Sequence, residues 1–251
     1  MSAIAHHVVF RLQDDRVLAP SEAARRAWIR WFAAAAEALP ILVWRLADTH
    51  GHVVVLGDLG VAEELVRRMR IWARLGAKLP VPIEVQRTKP ILSQAYLESA
   101  FWYVLRQGEH HGVEVDRWQE AGALPDLLGM RRVSPRLPGR VLEHLPRTRR
   151  DRLEEILGAT VEERVSADHL WDAACATFAL DTLGKDPTGT RARRAAVAAA
   201  HELGANEISR SLGIQADTVS RLLRLRVEPR DVRAVRLQMG LRVLGRDAPL
   251  G

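Results

Sequence analysis

ILVWRLADTHGHVVVLGD, residues 41–58, reads as two β-rich runs, ILVWRLA and HVVVL, parted by the turn sequence DTHG. Runs this close together pair antiparallel, and their flanks then set the fold. Residues 3–12 alternate as a strand, with Val9 and Arg11 on one face and Val8 and Phe10 on the other. Pro20-Ser21-Glu22 opens a helix through SEAARRAWIRWFAAAAEAL. Ser21 can cap its free amides, Ala24, Trp28, Trp31 and Phe32 supply an apolar face, and Pro40 ends it. Further on, VAEELVRRMRIWARL sets Val61, Leu65, Met69 and Trp72 at helical spacing, and Pro80 and Pro82 lead into a short strand, IEVQR. A third helix runs from about Ser93 to Gln107. The order strand, helix, strand, strand, helix, strand, helix predicts an α+β, ferredoxin-like sandwich with an added helix.

A chain of 251 residues can hold two modest cores, and the motif spacing favours two domains. Lys and Arg total 37 against 31 Asp and Glu, a net charge of +6 that favours phosphate-bearing partners. The single cysteine, Cys175, excludes an internal disulfide framework and a Cys-based zinc cage, and fits a reducing cytoplasm. MSAIAHHVVF is interrupted by His6 and His7 and reads as a first strand, not a secretion signal, while AAVAAA at 195–200 is far too short to cross a bilayer. The expectation is a soluble, cytoplasmic protein with no membrane partner. An aromatic content of 5% gives little support to RNA binding on the sheet.

Side chains alternate along a strand, so His50 and His52 point to one face and Gly51 and Val53 to the other. Two imidazoles on one face can share a metal ion, but a third donor is needed. On the third helix, Leu97, Phe101, Val104 and Leu105 form the apolar stripe, and Tyr96, Ser99, Tyr103 and Gln107 fall on the other side. Tyr103 and Gln107, spaced i, i+4, are neighbours on one surface, the phenol a candidate nucleophile and the amide oxygen a candidate metal ligand. Tyr96 ranks second, because Ala100 stands at its i+4 position. Asp48, close to both histidines, offers water-activated phosphodiester hydrolysis as a rival, or simply forms the turn. Arg11 could meet a phosphate from the adjacent strand, and His110 and His111 suit a helix C-terminus or a DNA contact. GKDPTGT at 184–190 lacks the glycine spacing of a phosphate-binding loop.

A paired-histidine strand followed by a helical tyrosine with a polar residue four positions on resembles the HUH endonuclease superfamily, specifically its single-tyrosine transposases, including the REP-associated tyrosine transposases. The resemblance covers about residues 1–125, and YVLRQGEHHGV is similar to the tyrosine-helix segment of that family. It implies that His50, His52 and Gln107 hold Mg2+ or Mn2+ and that Tyr103 attacks a DNA phosphodiester, forming a 5′-phosphotyrosine. The residue between the histidines is usually bulky and apolar in the family. Gly51 departs from that pattern, and a glycine there predicts a loosened strand with slack metal geometry.

The second signal is ARRAAVAAAHELGANEISRSLGIQADTVSRLLR, residues 192–224. Asn206 can cap a short helix containing Ile208 and Leu212, Gly213 makes a turn, and Val219, Leu222 and Leu223 form the inner face of the next helix. Asp217, Thr218, Ser220, Arg221 and Arg224 are then left to face DNA bases and phosphates. The segment resembles the C-terminal DNA-binding domain of the bacterial replication initiator DnaA. The resulting layout is a nuclease domain at 1–125, a basic connector at 126–165, an all-α helix-turn-helix domain at 166–225 and a basic tail at 226–251. The function expected is a metal-dependent tyrosine endonuclease and strand transferase on single-stranded or hairpin DNA, with duplex affinity through the helix-turn-helix and a homodimer allowed. The alternative is a sequence-specific DNA-binding regulator with a decayed nuclease site.

Overall fold

The computed structural model describes residues 2–107, 116 and 118–247. The chain divides into two units: Met1–Leu127 with Ser134–Arg149, and Leu128–Val133 with Arg150–Gly251.

The first unit is α+β. Strands β1 (Ala5–Leu12), β2 (Ile41–Leu46), β3 (His50–Leu56) and β4 (Ile83–Ile91) form one antiparallel sheet in the order β2-β3-β1-β4. Helix α1 (Glu22–Ala38) links β1 to β2, α2 (Leu59–Ile71) links β3 to β4, and α3 (Gln94–Leu105) follows β4. Each begins at a side-chain cap that satisfies an otherwise orphaned amide: Ser21 accepts from Ala24, Asp58 from Val61 and Ser93 from Tyr96. The expected element order is therefore present, with the connecting turns where Pro40 and DTHG placed them.

The two sheet faces differ as strand alternation requires. One face carries Val8, Phe10, Trp44 and Val53, all fully buried, and α1 packs on it through Trp28 and Phe32. Trp72, in a π-helical turn at Trp72–Gly76, closes this cluster with its ring centroid 4.6 Å from that of Trp28. The opposite face carries His7, Val9, His52 and Arg45, and α3 lies across it over β2 and β3, leaving the β1–β4 side open.

Gly51 belongs to the packed face. It pairs directly with Phe10 across β1 and β3, and a Cβ at this position would lie 2.2 Å from Phe10 Cζ. The phenyl ring thus fills the space that a bulky residue between the histidines would take, and Gly51 itself is buried. The expected slackness is corrected: the strand is packed at this point by a side chain from its neighbour.

Residues 126–165, expected as a basic connector with short helices, do carry short helices, but they are packed and not a solvated linker. They contain helices α5 (Leu137–His144) and α6 (Arg150–Leu157), after the short α4 (Leu124–Leu127). Met130, Leu137, Val141, Leu153 and Ile156 are buried, which an exposed linker would not permit. In the first unit, Arg140 donates to the carbonyls of Ile41 at 2.7 Å and Ala36 at 2.9 Å, so one of the connector's arginines is a structural clasp.

The second unit is all-α: α7 (Leu170–Phe178), α8 (Pro187–Ala199), α9 (Ala205–Leu212), α10 (Ala216–Leu223) and α11 (Pro229–Asp247). The GKDPTGT segment starts α8, where Asp186 accepts from the amides of Thr188 and Gly189 at 3.0 Å. Helix α11 corrects the expectation of a basic tail. Its Val235 and Met239 are fully buried in the core with Ala196, Ile208 and Val219, and Arg242 is tied to Asp172 and Gln238. Asp231, 1% exposed, is held by Arg132 and Arg191. Within this stretch Arg233, Arg236 and Arg242 pair with Glu163, Glu202 and Asp172.

Candidate functional site

The site lies on the open half of the sheet. Register places Arg11 opposite His50, Val9 opposite His52 and His7 opposite Val54, while on the other side of β1 Val9 meets Arg87 and His7 meets Lys89. Paired residues in an antiparallel sheet share a face, so three histidines and the cations Arg11, Arg87 and Lys89 are gathered on one surface. Helix α3 brings Tyr103 over it. The Tyr103 ring is 47% exposed, with its centroid 5.7 Å from that of His52 and 5.9 Å from that of His7. The ring centroids of His50 and His52 are 4.8 Å apart. A cavity of about 370 Å³ opens here, lined by His7, Val9, His52, Arg87, Lys89, Tyr96, Ser99, Ala100 and Tyr103.

His7 is the functional residue that the sequence did not single out. Its Nε2 lies 3.0 Å from His52 Nδ1, and both rings are buried. Burial, and then the charges of Lys89 and Arg87, push the His7 pKa down to about 4. At neutral pH it is an uncharged imidazole, and one of the two rings donates to the other across this contact, which fixes the orientation of His52.

This shift has a measurable sign. Between pH 6.5 and 4 the unfolded chain protonates His7 while the folded chain does not, so stability falls as pH drops through that window, by on the order of 3 kcal/mol in all. Urea unfolding at pH 7 and pH 4.5 should show His7→Gln losing less stability on acidification than the wild type. Equal losses would contradict this environment.

Gln107 is a correction. It was expected opposite the apolar stripe beside Tyr103, but it is 1% exposed, and its amide nitrogen turns back to the Tyr103 carbonyl at 3.5 Å. Helix α3 ends at Leu105, and Arg106 leaves helical geometry with φ −88° and ψ 6°, so helical spacing no longer governs position 107. The structure brings Tyr103 to His52 but does not bring Gln107 into the cavity lining. His50 and His52 share a face and offer two imidazole donors, a chemistry that suits zinc and other softer divalent ions better than Mg2+. Among the described residues, no group of three His, Cys, Asp or Glu side chains is arranged to hold one.

The remaining candidates separate cleanly. Tyr96 lines the same cavity, with Lys89 Nζ 4.8 Å above its ring. Asp48 is exposed and lines a different pocket with Val17, Arg25 and Asp116, so its carboxylate is not part of the Tyr103 cavity. Arg11 is engaged by Asp15 at 2.6 Å and Glu84 at 3.1 Å. His110 and His111 lie outside the described residues.

Behind His52, across β2, Arg45 forms a buried ion pair with Asp116 at 2.9 Å. Burial raises the Asp116 pKa, and Arg45 opposes that rise. Asp116 also accepts the amides of Glu120 and Ala121 at 2.7 and 2.9 Å, and residues 121–123 then run along β2 through Leu46–Ala121 and Ala123–Trp44 hydrogen bonds.

In the second unit, α9 and α10 flank Gly213, which takes the left-handed φ of 61° that the turn needs. The first helix is capped by Gly204 without a side-chain bond, and Asn206 sits inside it. Asp217, Ser220, Arg221 and Arg224 are exposed and Thr218 is half-buried. Val219 is the buried anchor of α10; Leu223, expected inside, is 42% exposed, since it lies a rotation of about 100° beyond the half-buried Leu222.

No family model, curated protein or solved structure matches this chain.

Proposed function

We propose that the first unit is a single-tyrosine DNA endonuclease and strand transferase of the HUH type, and that the helix-turn-helix of the second adds affinity for duplex DNA. The observation that carries the reading is Tyr103, half-exposed over His52 and His7 with His50 beside them, on the open face of the sheet. The strand order β2-β3-β1-β4 with helices after β1 and β3, which is the ferredoxin-like order, supports it. So do the exposed Ser220, Arg221 and Arg224 on α10.

Tyr103 Oη attacks the phosphorus of an unpaired strand. The Oη–P bond forms as the P–O3′ bond breaks, the phenol proton passes to solvent at the exposed edge of the ring, and the departing 3′-oxygen takes one up. The products are a 5′-phosphotyrosine and a free 3′-hydroxyl, and the conserved bond energy allows rejoining to another 3′ end. His50 and His52 would hold Mg2+ or Mn2+, which when bound supplies a Lewis acid toward a phosphoryl oxygen. His7 holds the His52 ring in one orientation through the hydrogen bond between them.

A second reading, a DNA-binding regulator on a decayed nuclease scaffold, is favoured by one observation: Gln107 is buried, with its amide nitrogen turned toward the Tyr103 carbonyl. One experiment separates the two. With a panel of end-labelled hairpin DNAs and Mg2+ or Mn2+, the nuclease reading expects a denaturant-resistant protein–DNA adduct that Tyr103→Phe abolishes and Tyr96→Phe retains. Cleavage unchanged in Tyr103→Phe contradicts a tyrosine nucleophile. Binding without cleavage on every hairpin favours the regulator.

A further inference from the structure

Beside the proposed reacting centre, the same cavity holds two cations that the chemistry above does not use. Arg87 and Lys89 alternate along β4 and point to the histidine face, in the cross-strand rows of Val9–His52 and His7–Val54. Both are exposed, and neither pairs with a carboxylate among the described residues. Among the described residues, no acidic side chain lines the cavity. Lys89 is fixed in place by the Tyr96 ring beneath its ammonium at 4.8 Å. Arg87 stands two strands from His52, a backbone separation of about 10 Å, which a guanidinium reaching inward reduces to the distance of a neighbouring phosphate.

We infer that Arg87 and Lys89 form a phosphate subsite for the phosphodiester adjoining the scissile one in a single DNA strand, with Tyr96 as the residue that positions Lys89. The inference rests on the nuclease reading for its substrate. The site fixes where an unpaired strand crosses the sheet: one phosphate at His50 and His52 beneath Tyr103, the next at the β4 edge. A duplex would present its paired second strand to α3, so the subsite selects for unpaired DNA.

The test uses the full chain carrying Tyr103→Phe, so that only binding is read, with dye-labelled oligothymidylate as probe and oligouridylate, inorganic phosphate and a hairpin-free duplex as comparisons. The double variant R87Q/K89Q is expected to weaken oligothymidylate binding about tenfold and to lower the slope of log affinity against log salt by about 0.7 for each phosphate left without its cation. Tyr96→Leu should weaken it about threefold, and duplex binding should not change. A loss below threefold in the double variant with an unaltered salt slope overturns the subsite, as does an equal loss on duplex or a preference for oligouridylate over oligothymidylate. If the wild type forms no adduct yet R87Q/K89Q shows the expected loss, the nuclease reading fails and the subsite stands. An adduct with undiminished R87Q/K89Q binding has the reverse meaning.

Discussion

Gly51→Ala is expected to lower the unfolding free energy of the first unit by about 3 kcal/mol, a large loss for a single methyl group. The added Cβ would sit 2.2 Å from Phe10 Cζ and under 3 Å from both neighbouring ring carbons. That ring cannot swing aside, because Trp28 and Phe32 pack against it with centroids 5.5 and 6.2 Å away. The clash belongs to one pair, so it can be relieved. In a double-mutant cycle, Phe10→Ala alone costs about 3 kcal/mol or more through the void it leaves, but Gly51→Leu added to it should fill that void. The double variant is expected to be more stable than the sum of the singles by about 2 kcal/mol, measured from urea midpoints by tryptophan fluorescence. Additive effects would show that the ring and the glycine do not share the space.

Asp116→Ala is the second large effect, also about 3 kcal/mol. It strips the carboxylate from Arg45, whose side chain is 3% exposed, and releases two amides that the carboxylate accepts. A buried guanidinium that loses an ion-pair partner is expensive, whereas an apolar replacement of both partners is not. Asp116→Leu combined with Arg45→Met should therefore recover most of the stability that Asp116→Ala loses. Urea curves decide the matter, and a double variant as unstable as Asp116→Ala would mean that the pair is not what holds residues 116–123 to β2.

Much of this was legible in the sequence. Alternation put His50 and His52 on one face, helical spacing put Leu97, Phe101, Val104 and Leu105 inside and Tyr103 outside, and caps and prolines marked the element ends. His7 escaped because strand pattern tells which face a residue takes but not which strand lies beside it. Only the placement of β1 next to β3 makes His7 a neighbour of His52. Once the expected strand order is taken literally, that adjacency follows, so the signal existed at His6-His7. Gln107 failed for a different reason: an i, i+4 argument presumes a helix at both positions, and the helix stops at Leu105. Gly51 misled because a missing side chain was equated with missing packing, while its partner across the sheet is a phenylalanine. Such pairing of an aromatic over a glycine is a recurrent way of packing a strand. In the second unit the turn at Gly213 and the exposed arginines of α10 were readable, but α11 was not, because its arginines made a buried helix look like a tail.

Tyr103 is the proposed nucleophile toward DNA, and the chain contains only two tyrosines, Tyr96 and Tyr103. Cleavage after Glu98 places them on separate peptides. The most direct measurement is mass spectrometry of the adduct trapped on hairpin DNA, after nuclease trimming and digestion at glutamate. The peptide that begins at Ser99 should carry a nucleotide 5′-phosphate on Tyr103, and the peptide that ends at Glu98 should be unmodified. A nucleotide on Tyr96, or cut DNA with neither peptide modified, would contradict that role for Tyr103.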